Sequence, residues 1–204
     1  ISPSELGSVS LALTIIIFLT SVCGSGFGDA LVQRKDLVNE HINTALVLLF
    51  STALILFLLS STIIHFIQIS SFDTLFRHSF LFLGIKLILD ATSVIPLSLL
   101  TRNMEFKTIG VRTMACSVGA TLVCIPILYF GAGVWAIVFS QVTSSLVSSA
   151  ILWYSLRERP TFKISKVAFN ELRSFGIKTT LSKMVSSLSV DNMILGVVGS
   201  LHTL

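Results

Sequence analysis

The chain of 204 residues is 53% hydrophobic and only 12% charged, about half of the roughly 25% charged residues in a soluble domain. Its mean hydropathy of +0.91 excludes a water-soluble fold, which needs more polar surface. The formal net charge of +4 comes from basic residues beside apolar runs rather than on a polar face. We therefore expect anionic membrane lipids, and not nucleic acid, as partners.

Six apolar stretches are long enough to cross a hydrocarbon core of about 30 Å, which takes about 20 helical residues. None alternates apolar and polar residues as the strands of a membrane barrel do. The sequence therefore predicts an all-α fold, a polytopic transmembrane helix bundle of about six spans. These spans are Val9–Phe27, Thr44–Ile69, Phe80–Leu100, Ile109–Phe130, Trp135–Leu156 and Phe175–Val198.

Glycines near the end of the first span permit close approach of a neighbouring helix or local unwinding: Gly24, Gly26 and Gly28. The following residues, Asp29 to Glu40, are predicted as a short amphipathic piece at the cytoplasmic surface. Pro96 and Pro126 each remove a backbone hydrogen bond, so we expect them to bend the third and fourth spans.

The fifth span is bounded by aromatic residues at both ends. About 27 Å of helix separates Trp135 from Trp153, close to the distance between the two aromatic belts of a bilayer. The sequence Gly131-Ala132-Gly133 just before this span predicts a tight hairpin on the non-cytoplasmic side.

Basic residues collect in every second gap between the apolar runs. Ten of them lie on one side, against Arg77 alone on the other. Because positive charge stays on the cytoplasmic side when helices insert, this pattern predicts the orientation in the membrane. The ten are Arg34, Lys35, Arg102, Lys107, Arg112, Arg157, Arg159, Lys163, Lys166 and Arg173.

The third span contains a charged pair. Lys86 and Asp90 are four residues apart and share one helix face, and Asp90 lies about 15 Å along the helix from Phe80. Charges at this depth cost about 2.5–3.5 kcal/mol on insertion scales. One interpretation is a self-neutralising structural pair. The other is the lining of a polar cavity.

The last span contains a polar stripe at helical spacing, opposite an apolar face. Such a stripe must face protein or water rather than lipid tails. We interpret it as cavity lining, with packing between helices as the alternative. Its residues are Thr180, Lys183, Ser187 and Asp191.

Metal, cofactor and catalytic patterns are not expected in this sequence. The odd number of cysteines within apolar runs argues against disulfides and zinc sites. The four histidines lack ligand spacing, and no phosphate loop, paired-carboxylate arrangement or nucleophile elbow is present. We therefore expect a protein that is not an enzyme. The residues concerned are Cys23, Cys116, Cys124, His41, His65, His78 and His202.

Short segments beside the spans follow a recognisable order along nearly the whole chain. They are Ser2–Gly7, Gly26–Asp36, Arg102–Lys107, Gly131–Ala136, Arg159-Pro160, Phe175-Gly176 and Asp191–Gly196. In the joint order and spacing of these segments the chain resembles the polysaccharide-biosynthesis flippases, the Wzx-like lipopolysaccharide and teichuronic-acid exporters of the MOP superfamily. Asp29 departs from the pattern, which has a small or apolar residue there.

The resemblance implies one half of a MATE-like transporter with two pseudo-symmetric bundles. Residues 1–156 would be five membrane helices of the N-terminal bundle, 157–174 a basic cytoplasmic linker, and 175–204 the start of the next membrane helix. The first helix and the C-terminal bundle would be missing.

The resemblance also implies a function, which is the flipping of undecaprenyl-diphosphate-linked oligosaccharide across the bacterial cytoplasmic (inner) membrane. Other polysaccharide-assembly proteins would be partners. The polar cavity lined by the Lys86–Asp90 pair would receive sugar or pyrophosphate, and Lys86 and Lys183 would supply positive potential there. A cation-coupled drug or metabolite antiporter of the same superfamily is an alternative. A membrane-embedded polysaccharide polymerase or transferase is a second, and a non-transporting scaffold is a third.

Overall fold

The computed structural model describes residues 2–33, 38–66 and 74–156, and these ranges contain helices and no strand. All five helices are long and apolar enough to cross a membrane, so the prediction of an all-α polytopic bundle is confirmed. The predicted linker and sixth span lie outside the described residues. The helices are α1 (Pro3–Gln33), α2 (Asn39–Phe66), α3 (Thr74–Arg102), α4 (Phe106–Tyr129) and α5 (Trp135–Ser155).

A reciprocal cap starts α1. The Glu5 backbone N–H donates to Ser2 Oγ at 3.2 Å, and the Ser2 backbone N–H donates to Glu5 Oε2 at 2.9 Å. Pro3 occupies the first helical position, where its missing N–H removes no intrahelical bond. This polar cap fixes where the apolar helix begins.

The first helix continues beyond the apolar run that predicted it. Its last residue is Gln33, so Asp29 belongs to α1, and α2 begins at Asn39. The prediction of a separate amphipathic piece from Asp29 to Glu40 is therefore wrong for its first residues. Hydropathy marks the membrane-embedded part of a helix, whereas the helix itself extends into its polar flank.

Two glycines of α1 allow it to lie close against α3. A methyl group on Gly24 would come within 3.0 Å of the Val94 side chain. On Gly28 it would come within 3.0 Å of Val94 and 3.1 Å of Ser98 Oγ. Of the two predicted uses of these glycines, the structure shows close approach of a neighbouring helix. Later residues of α1 meet later residues of α3, so the two helices run parallel.

The bundle is organised around α3. This helix packs against α1, α2 and α5 and makes a smaller contact with α4, which packs mainly on α5. The buried core follows α3 through Phe76, Phe80, Leu83 and Leu87. The rings of Phe57 on α2 and Phe80 stack with centroids 6.0 Å apart. Because α3 touches each of the other four described helices, a polar side chain on it can reach several neighbours.

A glycine turn joins α4 to α5, as predicted. The Gly131 N–H donates to the Leu128 carbonyl at 3.0 Å, and the Ala132 N–H donates to the Ile127 carbonyl at 3.2 Å. This pair of bonds is the Schellman arrangement, which needs a left-handed residue. Gly131, with φ +78°, provides it without a steric penalty.

The turn from α3 to α4 uses the same arrangement with a less suitable residue. The Met104 N–H donates to the Thr101 carbonyl at 3.1 Å, and the Glu105 N–H donates to the Leu100 carbonyl at 2.9 Å. Met104 holds the left-handed position with φ +57°. A side chain in this conformation costs roughly 1–2 kcal/mol.

Both internal prolines lie within continuous helices. Pro96 is inside α3 and Pro126 is inside α4, so neither ends its helix. One turn before Pro96, Ser93 Oγ donates to the Leu89 carbonyl at 2.7 Å. Bonds of this kind often accompany bent helices, and the two predicted bends stay predictions.

Candidate functional site

The charged pair of the third span forms in the structure. Lys86 Nζ lies 2.9 Å from Asp90 Oδ2 and also donates to Ser145 Oγ on α5 at 3.1 Å. The side chains of Lys86 and Asp90 are only 14% and 22% exposed. The spacing of four residues in a helix accounts for the first contact, and the parallel packing of α3 on α5 supplies the second.

The pair occupies the middle of α3. Lys86 and Asp90 lie on either side of Ile88, the central residue of this helix of 29 residues. Both charges are therefore roughly 20 Å from the helix ends. At such depth each ion needs a partner to offset its lost hydration, and here the partners are the opposite charge and a hydroxyl.

Two cavities share this pair as part of their walls. The first, cavity 1, has a volume of about 640 Å³ and lies between α1 and α3. The second, cavity 2, has a volume of about 370 Å³ and lies among α3, α4 and α5. The residues common to both walls are Thr20, Lys86, Asp90, Val94 and Leu97.

Cavity 2 is the more polar and carries excess positive charge. Among the described residues of its wall, the cations are Lys86 and Arg112, set against the carboxylate of Asp90. Arg112 Nε donates to Ser148 Oγ at 2.7 Å, which holds the α4 guanidinium against α5. Hydroxyl groups supply the rest of its polar lining: Thr20, Ser93, Thr113, Ser117, Ser144, Ser145 and Ser148.

Cavity 1 has the opposite balance. In the described part of the chain its wall has the carboxylates of Asp29 and Asp90 and the cation Lys86, and apolar side chains such as Ile17 and Val32 make up much of the remainder. Asp29, the residue that departs from the family pattern, is half-buried on this wall. Counted over the described lining residues, the two walls thus differ in the sign of their net charge although they share one ion pair.

Both cavities lie in the same half of the bundle. Their α3 lining begins at Lys86 and reaches Thr101, and the α4 lining runs from Arg112 to Ser117. These are the last half of α3 and the first half of α4, on the side of the turn at Met104. In the orientation predicted from the basic residues, this is the cytoplasmic half of the membrane.

The structure brings together only some of the predicted site residues. It places Lys86 and Asp90 in contact and on the walls of both cavities. The predicted stripe of the last span lies outside the described residues: Thr180, Lys183, Ser187 and Asp191.

Sequence reasoning missed Arg112, Ser145 and Ser148. The charge pattern assigns Arg112 to the cytoplasmic side, although this residue falls within the predicted span Ile109–Phe130. A cation inside an apolar span is a candidate site residue by default. The serines of α5 carry no comparable local signal, because their cation partners depend on how the helices pack.

Metal ligation finds no support in the described ranges. No group of three or more His, Cys, Asp or Glu side chains there is placed to hold a metal ion. The three cysteines, Cys23, Cys116 and Cys124, are unpaired. The described polar groups that line the two cavities are two cations, two carboxylates and several hydroxyls.

Comparison with known proteins identifies relatives for the whole chain. The family described as "Polysaccharide biosynthesis protein" matches residues 1–204. The chain is also 28% identical over 171 residues to the succinoglycan biosynthesis transport protein ExoT of Rhizobium meliloti (strain 1021), covering 81% of this chain and 33% of the relative. It thus spans about a third of the length of that relative.

No solved structure matches the chain at a significant level. The family match covers every residue, and the five membrane-capable helices agree with it. The predicted resemblance to polysaccharide-biosynthesis proteins is confirmed. The chain therefore belongs to the polysaccharide biosynthesis protein family, as a multi-pass membrane member.

Proposed function

We propose that the protein containing this chain moves a lipid-linked oligosaccharide from the cytoplasmic to the outer leaflet of the bacterial inner membrane. Membership of a polysaccharide biosynthesis family supports this role, as does similarity to a relative named as a transport protein. The observation that carries the proposal is cavity 2, where Lys86 and Arg112 face a hydroxyl-rich space at membrane depth.

The chemistry of this cavity suits the head of such a lipid. A diphosphate needs cations to replace its hydration, and electrostatic attraction is stronger in a low-dielectric site than in water. Sugar hydroxyls need donors and acceptors, which the serines and threonines of cavity 2 supply. The prenyl tail, which the family resemblance implies is undecaprenyl, would stay in the lipid, so only the polar head requires a protein cavity.

The position of the cavities suits the direction of transport. In this proposal the substrate enters from the cytoplasmic leaflet, and both cavities lie in the half of the bundle that is cytoplasmic in the predicted orientation. Rocking of this bundle against a second one would then expose the same site to the outer side. Lys183, outside the described residues, is proposed as a further cation of the substrate path.

Charge removal in the full-length protein tests this proposal. Lys86→Ala and Arg112→Ala should each lower surface polysaccharide at least about tenfold, because a charge-assisted contact contributes about 1.5–3 kcal/mol. Lys183→Ala belongs in the same assay. Lys107→Ala is the matched control, since Lys107 is an exposed cation at the start of α4. Normal export by the Lys86→Ala and Arg112→Ala variants, at normal protein levels, would contradict the proposal.

A second candidate is cation-coupled antiport of a small solute. The two carboxylates on the wall of cavity 1, Asp29 and Asp90, favour it because carboxylates are the membrane groups that take up protons or cations. It predicts ion-dependent solute efflux by the reconstituted protein. Two results together would replace the first proposal with this one. The reconstituted protein would show ion-dependent solute efflux, and deletion of its gene would leave surface polysaccharide unchanged.

A further inference from the structure

Two buried serines on α5 each hold a cation from a different helix. Ser145 accepts a hydrogen bond from Lys86 on α3, and Ser148 accepts one from Arg112 on α4. The two serines are only 2% and 4% exposed. By contrast, Ser140 on the same helix donates to the carbonyl of Ile137 at 2.8 Å, which is the ordinary use of a serine in a membrane helix.

The spacing of these serines sets the spacing of the cations. Ser145 and Ser148 are three residues apart, so their side chains lie on one face of α5 with Cβ atoms about 5–6 Å apart. Each cation is within 3.1 Å of its serine. Lys86 and Arg112 are thereby held about one helical turn apart along α5, on the wall of cavity 2.

The two cations differ in what they offer a ligand. Lys86 is a point charge already shared with Asp90. Arg112 uses Nε for Ser148, and within the described ranges no protein group bonds its two terminal nitrogens. A guanidinium presents its donors as a planar fork that binds phosphate through two oxygens. Cavity 2 therefore offers a ligand the planar guanidinium of Arg112 and, about one helical turn away along α5, the positive charge of Lys86.

We propose that Ser145 and Ser148 are positioning residues that make cavity 2 select two linked phosphate groups over one. A diphosphate reaches both cations at once, whereas a monophosphate engages one of them well. The volume of about 370 Å³ lies near the lower end of the range for small-molecule sites, about 300–1,000 Å³. It holds the diphosphate and the adjacent sugar, and the outer sugars remain outside cavity 2. The choice of diphosphate rests on the proposed function.

The test is a comparison of two probes with the full-length protein in lipid nanodiscs. Farnesyl diphosphate and farnesyl monophosphate share one lipid tail and differ by one phosphate, and empty nanodiscs correct for partitioning. Calorimetry should show that the wild type binds the diphosphate at least about tenfold more tightly, as expected for one charge-assisted contact. Ser145→Ala and Ser148→Ala should each reduce this ratio below about threefold, while Ser140→Ala should leave it unchanged.

The ratio of diphosphate affinity to monophosphate affinity distinguishes a positioning role from a folding defect. Partial unfolding lowers the amount of active protein but does not change its preference for the diphosphate. Should an alanine variant fail to fold, Ser145→Cys and Ser148→Cys keep nearly the same volume with a weaker hydrogen-bonding group, and the same fall is expected. Alanine or cysteine variants that retain the wild-type ratio would overturn the inference.

Inorganic pyrophosphate and orthophosphate form a second arm that identifies the source of the phosphates. Pyrophosphate binding that depends on both serines shows that the anion alone is recognised. Serine-dependent binding of the farnesyl compounds alone assigns the site to a lipid headgroup. Both results support positioning by the serines. The inference would be overturned if the wild-type protein showed no preference for the diphosphate, either among the farnesyl compounds or among the inorganic phosphates. If that protein still exported polysaccharide normally, the translocation proposal would stand.

Discussion

Arg102, the last residue of α3, donates a hydrogen bond of 3.1 Å from Nη1 to the carbonyl oxygen of Leu31 near the end of α1. A longer contact of 3.4 Å reaches the Val32 carbonyl. Both carbonyls belong to the last turn of α1, where no intrahelical N–H is available. The guanidinium also opposes the negative end of the helix dipole. One arginine therefore ties together the ends of two parallel helices.

Replacing this arginine should loosen the α1–α3 pair. Arg102→Met keeps an unbranched apolar stem but removes the donors, so we expect the free energy of unfolding to fall by about 1–2 kcal/mol. Thermal or denaturant unfolding of the protein in detergent measures the change. Lys107→Met removes an exposed cation close by and should have little effect. An equal loss in the two variants would show that Arg102 acts only through net charge.

Two helix glycines should respond to alanine in opposite directions. A methyl group on Gly84 would overlap the Phe57 ring in the α2–α3 interface, whereas nothing lies within 4 Å of the corresponding point at Gly110. Gly84→Ala should therefore lose about 1–3 kcal/mol of stability through overpacking. Gly110→Ala should gain up to about 1 kcal/mol from helix propensity. Adding Phe57→Leu should recover part of the Gly84→Ala loss, and no recovery would refute overpacking.

The left-handed residue of the α3–α4 turn offers a stabilising substitution. Met104 has φ +57° and is 76% exposed, so its side chain contributes little packing. Met104→Gly should raise the free energy of unfolding by about 1 kcal/mol, since glycine adopts this conformation without strain. Asn103→Gly, one residue earlier in the same turn, is the control for added chain flexibility. A melting temperature that falls equally in both variants would contradict the strain argument.

The membrane spans could be predicted from the sequence because hydrocarbon thickness sets the length of an apolar run. The helix ends could not, since polar flanks continue the helix outside the hydrocarbon. Thus α3 begins at Thr74, before the apolar start at Phe80, and α1 continues through Asp29 to Gln33.

The charged pair could also be predicted, because contact between Lys86 and Asp90 depends only on local helix geometry. The serine partners of Lys86 and Arg112 depend on how α3 and α4 rotate against α5. A serine in an apolar helix ordinarily bonds its own backbone, as Ser140 does. Nothing local therefore distinguishes Ser145 and Ser148, and their roles become visible only after the helices are packed.

The orientation predicted from the basic residues can be tested at two exposed turn positions. In a full-length variant lacking its native cysteines, Asn103→Cys and Ala132→Cys lie at the two ends of α4, on opposite sides of the membrane. A membrane-impermeant maleimide added to intact spheroplasts should label the cysteine at position 132, and should label that at 103 only after lysis. Labelling of both positions from outside would disprove the topology.

The two interpretations of the Lys86–Asp90 pair make different predictions for the double variant. Lys86→Met leaves the Asp90 carboxylate unpaired at membrane depth, and we expect it to lose roughly 3 kcal/mol of stability. Lys86→Met with Asp90→Leu removes both charges and should recover most of that loss, because two apolar side chains replace a paired but dehydrated ion pair. If the pair only neutralises itself, this stable double variant should export polysaccharide normally.

If Lys86 binds the substrate, restored stability cannot restore export, because the apolar pair offers the diphosphate no cation. We therefore expect surface polysaccharide in the double variant to stay at least about tenfold below wild type, at equal protein levels in the membrane. Arg112→Met provides the comparison, since it removes the other cation of cavity 2 and leaves the ion pair intact. Low export by the Lys86→Met/Asp90→Leu variant and by Arg112→Met would show that export depends on the cations of cavity 2 rather than on the salt bridge.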